Sequence, residues 1–589
     1  MRRLLNLAVL LPVLGVLAIS FAIWGWLVQS RALELNYIDV VYRAIGSVTL
    51  STIYDSSSKW NRDWRLDLAR AFGVTAFLMA ATKVFVNLLS YEISAYFGRF
   101  RKNHLLVVGD HPVAKGVVEA AVRHGVQVTW FANSEVPIDA IPGALIVPHN
   151  WNRHIAERFQ VDRAARSVVA FTNEVEQIAA VRALRVVAPA LPITMNFGDP
   201  WFADWMDELE NISGVRFVSQ IQLSIRDLHW RQPPFVIAER MGHARLHALI
   251  VGFGRGGEAV LSDLLLCCLT GNLGKPMITI VDPRASEVRR SLAQRCPGLA
   301  DSVDYFVIDP GQTVDVRVLP VTDLAAAEAR APISLAYVCV DADERAIALA
   351  VSLQAVFQRQ GWQIGPIFTR LSNGGALPDA SIVTDGPKSA GPLLTGLVGF
   401  GATDDFAHAL GLFQSGNDAL PRLFHEAYRR TVPQHSATNL PWEALTEQMR
   451  ESNRRLLVHL PAKLATAGVD VAAWLAGPAA SGSPPELTLP DLDSNPELLE
   501  RLAALEHTRW MMDRHIGGWQ YGPTRDNGRR IHPDLKPYGD LDDVIRGYDR
   551  TMVRETWTAL TSSAGTGFFP SGNKMPHPAT VATMAGRKS

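Results

Sequence analysis

The sequence predicts a multidomain chain: two transmembrane helices, then two doubly wound α/β units in tandem, then a mainly α-helical C-terminal unit. Three observations predict it. Residues Leu4 to Val28 carry no charged side chain. From His104 onward, short apolar strands alternate with helices, and the whole order occurs twice. After about Phe400 that alternation stops and helical patterns take over. A chain of 589 residues is too long for one hydrophobic core. Its formal net charge of −1 gives no electrostatic case for nucleic acid as a partner. The scattered Cys267, Cys268, Cys296 and Cys339 form no Cys-x-x-Cys pair. They read as reduced, buried thiols rather than disulfides or zinc ligands.

The first apolar run is long enough to cross a bilayer, which takes about 20 helical residues. It is too long for a secretory leader and lacks a small-x-small cleavage site. A second candidate span runs from about Leu68 to Phe97. Arg2 and Arg3 precede the first span, and Arg99, Arg101 and Lys102 follow the second. The positive-inside rule then places both ends in the cytoplasm of a plasma (inner) membrane, with the loop between them outside. Lys83, inside the second span, is costly in lipid and must face water or a partner. The loop segment DVVYRAIGSVTLSTIYD, Asp39 to Asp55, resembles the pore helix and filter entrance of two-helix potassium channels. On that resemblance Thr49, Ser51, Thr52, Tyr54 and Asp55 line a pore, with Lys83 beside it. Both filter glycines are missing, so the resemblance implies poor potassium selectivity. The alternative is a plain anchor with an amphipathic external helix.

The repeat has a period of about 140 residues, beginning at HLLVV and again at HALIV. Strands alternating with helices imply a parallel sheet covered on both faces. The second copy places Gly252-x-Gly254-x-x-Gly257 between strand and helix and ends its second strand on Asp282. That is the dinucleotide fingerprint: a tight turn, close phosphate approach, a helix N-terminus at the pyrophosphate and an acid for the ribose. The first copy keeps only Gly109 in Gly109-Asp110-His111-Pro112 and has no acid after Trp130-Phe131. It reads as a Rossmann-like unit that packs rather than binds. Two such units behind a membrane helix pair resemble the RCK (TrkA-N) domains that regulate potassium conductance. The resemblance implies a closed ring of identical chains, a homo-oligomer and most simply a homotetramer, that changes shape with ligand.

In the C-terminal unit Asn495 is placed as an N-cap before Pro496, and Leu498, Leu502 and Leu505 form one helical face. Glu506, Arg509, Trp510 and Asp513 cluster beside it at helical spacing. The stretch from Leu505 to Val553 closely resembles the RyR domain, through Glu506, His507, Arg509, Trp510, Gly518, Trp519, Tyr521, Gly522, Arg525, His532, Pro533, Tyr538 and Arg550 among others. The aromatic rings suit a base and the guanidinium forks suit phosphate. The ligand-binding candidates are therefore Arg509, Trp510, Trp519, Tyr521, Arg525 and Tyr538. The resemblance implies an adenine-type ligand.

The expected organisation is a membrane region over 1–100, a degenerate Rossmann-like unit over 101–240, a second over 241–400, a RyR domain over 401–563 and a disordered tail over 564–589. The expected function is a ligand-gated, ion-channel-like membrane protein that senses a purine nucleotide or NAD as a regulatory, not catalytic, ligand. A non-conducting membrane-tethered sensor is the alternative, and an NAD-dependent oxidoreductase the third. No nucleophile–base pair, metal motif or Walker motif is apparent, so an enzyme is not expected.

Overall fold

The computed structural model describes residues 7–48, 63–88, 96, 98, 100–132, 136, 140–148, 151–199, 214–311, 319–372, 396–401, 418–431, 439–445, 447–475 and 488–563. Thr49, Ser51, Thr52, Tyr54, Asp55 and the tail 564–589 lie outside the described residues, as does the Lys83 side chain. Two compact units result: Met1–Lys102 with Thr129–Arg163, and Asn103–Val128 with Ala164–Ser589.

In the first unit, α1 (Leu7–Ser30) and α3 (Trp64–Leu88) run antiparallel. Gln29 meets Asp63, a Cβ on Gly25 would touch Leu66 at 2.7 Å, and Phe21 meets Phe72. The short helix α2 (Tyr37–Val48) buries Val40, Ala44, Gly46 and Ser47 against this pair. Its Ser47 Oγ accepts a 3.0 Å hydrogen bond from Trp26 Nε1. Within the described residues one helical segment, Pro12–Ser30, is both long and apolar enough to cross a membrane. The second predicted span corresponds to α3, which starts at Trp64 rather than Leu68 and carries Arg65, Asp67 and Arg70 in its first two turns.

The α/β region contains two parallel sheets of six strands each. Strands β1 (Leu105–Val108), β2 (Val128–Ala132), β3 (Leu145–Pro148), β4 (Arg166–Val169), β5 (Ile193–Phe197) and β6 (Val215–Ser219) form the first, in the order β3-β2-β1-β4-β5-β6. Strands β7 (Arg245–Val251), β8 (Gly274–Val281), β9 (Asp304–Ile308), β10 (Leu335–Val338), β11 (Ile367–Arg370) and β12 (Leu397–Phe400) form the second, in the order β12-β11-β10-β7-β8-β9. Sequence patterning finds five strands in each copy. The sixth, β6 or β12, is a short segment well separated in sequence from its predecessor. The central strands are buried along their whole length, as a sheet covered on both faces requires.

The C-terminal unit is built on two long helices, Pro496–Ile516 and Asp543–Ser563. Asn495 caps the first, its Oδ1 accepting from Leu498 N at 3.1 Å. This helix faces two cores, and its Leu498, Leu499 and Leu502 pack with Leu460, Val553, Trp557 and Leu560 of the same unit. Leu505, Met512 and Ile516 enter the same cluster as Leu264, Leu265 and Ile280 of the second α/β copy. Thr466 Oγ1 accepts from Gly271 N at 2.9 Å, and His459 Nε2 donates to Leu269 O at 2.7 Å.

Gly109 adopts φ +130°, and a Cβ there would fall 1.9 Å from Ala170 O. The one glycine retained by the first copy is thus a packing requirement between β1 and β4. We expect Gly109→Ala to cost about 2–4 kcal/mol in denaturant unfolding. Gly125→Ala, at φ +72° with open space around its Cβ, should cost about 1 kcal/mol.

Candidate functional site

Two clefts in the second unit collect the chemistry. The first, of about 690 Å³, is lined from both α/β copies by residues at carboxyl ends of strands. His111 follows β1, Asn196, Phe197 and Gly198 end β5, and Gln220 follows β6. Phe253 to Arg255 follow β7, Arg284 follows β8, Asp341 follows β10 and Arg370 ends β11. In open parallel sheets, ligands bind in the crevice outside the carboxyl ends of the strands. Here the crevices of two sheets open on one space.

The three glycines of the fingerprint have different tasks. Gly252 takes φ +88°, with Cys339 O 3.0 Å from any added Cβ. Gly257 lets the helix Arg255–Cys267 approach β7, since a Cβ there would meet Gly252 O at 2.3 Å. Gly254 caps that helix and lines the cleft, and nothing lies within 4 Å of its Cβ position. Gly254 is therefore open for a ligand, whereas Gly252 and Gly257 shape the turn. Asp282 departs from expectation. It is buried, its Oδ2 accepts from Phe253 N at 2.7 Å and its Oδ1 from Arg284 N at 2.8 Å. It braces the glycine turn and is not among the residues lining the cleft.

Sequence reasoning missed the arginines. Arg255 lies against the first copy, its Nη1 2.6 Å from where Gly198 would place a Cβ. Arg370 Nη1 pairs with Asp341 Oδ1 at 3.0 Å, and Arg284 reaches the same cleft. Burial depresses the basicity of His111 on the opposite wall; Asp110 opposes this and Arg255 adds to it. The available signal was position, because each of these arginines stands at or just after a strand end.

The second cleft, of about 600 Å³, lies among helices Ala419–Thr431, Glu447–Val458, Pro496–Ile516 and Asp543–Ser563. It brings together Arg509, Trp510 and Arg525 of the six residues singled out from the sequence. Trp510 stacks on His507 at 5.5 Å and meets His532 edge-on at 5.0 Å. Arg525 is exposed at the rim, its Nε donating to Asn527 Oδ1 at 2.9 Å. Trp519, Tyr521 and Tyr538 are not in the lining. Trp519 packs against Arg514 and His532, Tyr521 is 60% exposed, and Tyr538 Oη donates to Glu500 at 2.9 Å. The two-residue spacing of Trp519 and Tyr521 predicts a shared face. Only Tyr521 belongs to a strand, β13 (Gln520–Tyr521), and a turn precedes it. Arg514, four residues from Trp510 and therefore on its helical face, also lines the cleft.

Arg509 is more constrained than a free phosphate fork. Its Nε and Nη2 both grip Glu506, at 3.1 and 2.8 Å, while Lys463 Nζ reaches the same carboxylate at 2.6 Å. Burial alone would raise the Glu506 pKa, but Arg509 and Lys463 hold it far below the ordinary carboxylate range.

Residues 488–565 match the family model described as RyR domain. The chain carries a RyR domain. Its glycine-motif neighbour is a doubly wound parallel α/β unit with a Gly-x-Gly-x-x-Gly turn between strand and helix. Similar solved structures include GsuK bound to ADP, at 16% identity over 70% of this chain and 98% of that one, TM-score 0.34. The GsuK channel bound to NAD matches at 15% over 71% and 84%, TM-score 0.36. A dipicolinate synthase component from Bacillus halodurans matches at 10% over 53% and 99%, TM-score 0.18. At these similarities, function has to be argued from this chain's own residues.

Replacing Glu506 by Gln removes the carboxylate that both buried cations, Arg509 and Lys463, contact directly. We expect a loss of about 3–5 kcal/mol by denaturant titration. Acid should also destabilise the fold through His459, which burial, aided by the neighbouring Lys463, pushes down to about 3. Its folded pKa lies below the ordinary histidine value of about 6.5. The stabilising contribution is thus complete above about pH 6.5 and declines as pH falls toward 3. Denaturation midpoints at pH 7 and pH 5 should differ, and His459→Gln should reduce the difference.

Proposed function

We propose that this chain is a membrane-anchored sensor of a nucleotide-type ligand, built on the plan of a ligand-gated ion channel, and that it acts by binding rather than catalysis. The observation that carries this is the cleft at which the strand ends of both α/β copies meet. Gly254 leaves open backbone at a helix N-terminus there, and Arg255, Arg284 and Arg370 supply cationic forks for phosphate. A ligand spanning the cleft would touch both copies, so its affinity would differ between two arrangements of them. That difference is what moves a conformational equilibrium.

The RyR cleft is a second candidate for the same ligand class. The Trp510 ring offers a stacking face, and Arg514 and Arg525 offer charge within one lining. A purine nucleotide or NAD fits both chemistries.

The membrane assignment extends to α3. That helix is long enough to span, and with α1 it presents Val16, Leu27, Phe77 and Phe85 outward. Trp24, Trp64 and Arg65 gather where Arg65 lies 4.5 Å over the Trp24 ring, a grouping suited to a membrane interface. On this reading both termini are cytoplasmic, and four copies close a ring around the hairpins.

Titration calorimetry of the full chain in detergent with NAD, ADP, ATP and AMP should give binding for at least one. Gly254→Val should fold normally, because its Cβ position is empty, and should lose at least tenfold in affinity. Trp510→Ala reports on the second cleft in the same way. A folded wild type that binds none of the four would overturn the proposal. Ion flux into liposomes with and without the bound nucleotide separates a conductance from a non-conducting sensor, and turnover of NAD would indicate an oxidoreductase instead.

A further inference from the structure

Behind the glycine-motif helix lies a buried group of side chains that neither cleft uses. Asp263 and Cys267 are four residues apart on the helix Arg255–Cys267 and share a face one turn apart. His229 comes from the crossover helix Gln220–Arg231, which leads from β6 of the first copy into the second. His229 Nδ1 lies 2.6 Å from Asp263 Oδ2 and 3.6 Å from Cys267 Sγ. All three residues are buried, and their donor atoms lie within 4.8 Å of one another. Asp263 Oδ1 is buried without a hydrogen-bond partner, its nearest cation being Arg226 Nε at 3.7 Å.

We propose that His229 Nδ1, Asp263 Oδ2 and Cys267 Sγ form a site for a zinc-type divalent cation that staples the crossover helix to the glycine-motif helix. Imidazole, carboxylate and thiolate are the donor types zinc takes, and the thiolate disfavours magnesium and calcium. A dication with one thiolate, one carboxylate and a neutral imidazole is locally uncharged, which suits a buried position. Zinc bonds of about 2.0 Å to N and O and 2.3 Å to S set tetrahedral N···S near 3.5 Å and N···O near 3.3 Å. The N···S separation already matches. The His229–Asp263 hydrogen bond must open by about 0.7 Å as the ion replaces its proton.

The far side of the imidazole is already arranged for this role. His229 Nε2 lies 2.7 Å from Tyr337 Oη, on β10, so the distal nitrogen can donate to that hydroxyl and leave Nδ1 for the metal. Metal-bound histidines regularly have their other nitrogen held in this way. The sequence hides the site because His229 stands 34 residues from Asp263. No Cys-x-x-Cys or His-x-x-x-His spacing marks it.

The test is metal content. The full chain in detergent is stripped with chelator, reloaded with Zn²⁺ or Co²⁺, and measured by elemental analysis and absorption. One ion per chain and a near-ultraviolet thiolate-to-cobalt band are expected. Both should disappear in His229→Gln and Cys267→Ser and persist in Cys268→Ser. X-ray absorption of the zinc-loaded wild type should show one sulfur and otherwise nitrogen or oxygen, a readout that does not depend on a variant folding. Failure of the stripped wild type to take up a stoichiometric ion would overturn the proposal. So would a zinc shell without sulfur, or a cobalt band unchanged in folded Cys267→Ser. In that case a proton alone bridges His229 and Asp263. Nucleotide binding plays no part in these measurements, so their failure leaves the sensor reading standing.

Discussion

Glu451 is the partly buried charge on which the second unit turns. Its two oxygens accept from Arg216 at 3.2 Å, Arg226 at 2.8 Å and Arg454 at 3.2 Å. Arg216 is on β6, Arg226 on the crossover helix, and Arg454 on the same helix as Glu451. Burial alone would raise this carboxylate's pKa, but the surrounding arginines hold it well below the usual range. Arg454 also grips Asp418 through two bonds of 2.7 and 2.8 Å, and the adjacent Arg455 pairs with Asp513 at 2.8 Å. One carboxylate thus ties the last strand of the first sheet and the crossover to the helical unit. A largely desolvated ionic group of this kind adds little net stability, because its desolvation offsets much of its Coulomb energy.

The helical unit is consequently not a bead on a linker. Its long helix shares a hydrophobic core with the glycine-motif helix, and His515 fills the space over Gly298, where a Cβ would lie 2.2 Å from the ring. The helix that lines the RyR cleft and the helix whose N-terminus lines the other cleft therefore pack into one core. Packed interiors respond to shifts by switching between discrete arrangements rather than by gradual deformation. This gives the proposed sensor a physical route between its two candidate sites, and the crossover helix lies along it.

The two α/β copies illustrate how one fold is used in two ways. In the first, Gly109 persists because Ala170 O approaches too closely for any side chain. In the second, the equivalent approach is that of Gly252 to Cys339 O, Gly257 lets the helix close on Gly252 O, and Gly254 stays open. The first copy contributes to the cleft in another way, by placing His111 and Gly198 across it.

Periodicity and glycine spacing by themselves determined the apolar first helix, the tandem parallel sheets, the glycine turn and the capped helix at Asn495. These depend on local backbone preferences and on burial patterns that repeat along the chain. The same local signals put Glu506, Arg509, Trp510 and Asp513 within two turns of one helix. Tertiary structure decided the remainder. It turned Asp282 inward to brace the turn, moved Trp519, Tyr521 and Tyr538 out of the RyR cleft, and gave most of Arg509 to Glu506. It also assembled Arg255, Arg284 and Arg370 around one space, and His229 with Asp263 and Cys267 around another. A sequence pattern records which groups are present and which face of an element they occupy. Which charge finds which partner depends on contacts between segments 30 to more than 200 residues apart, such as Arg226 with Glu451, and no local period encodes those.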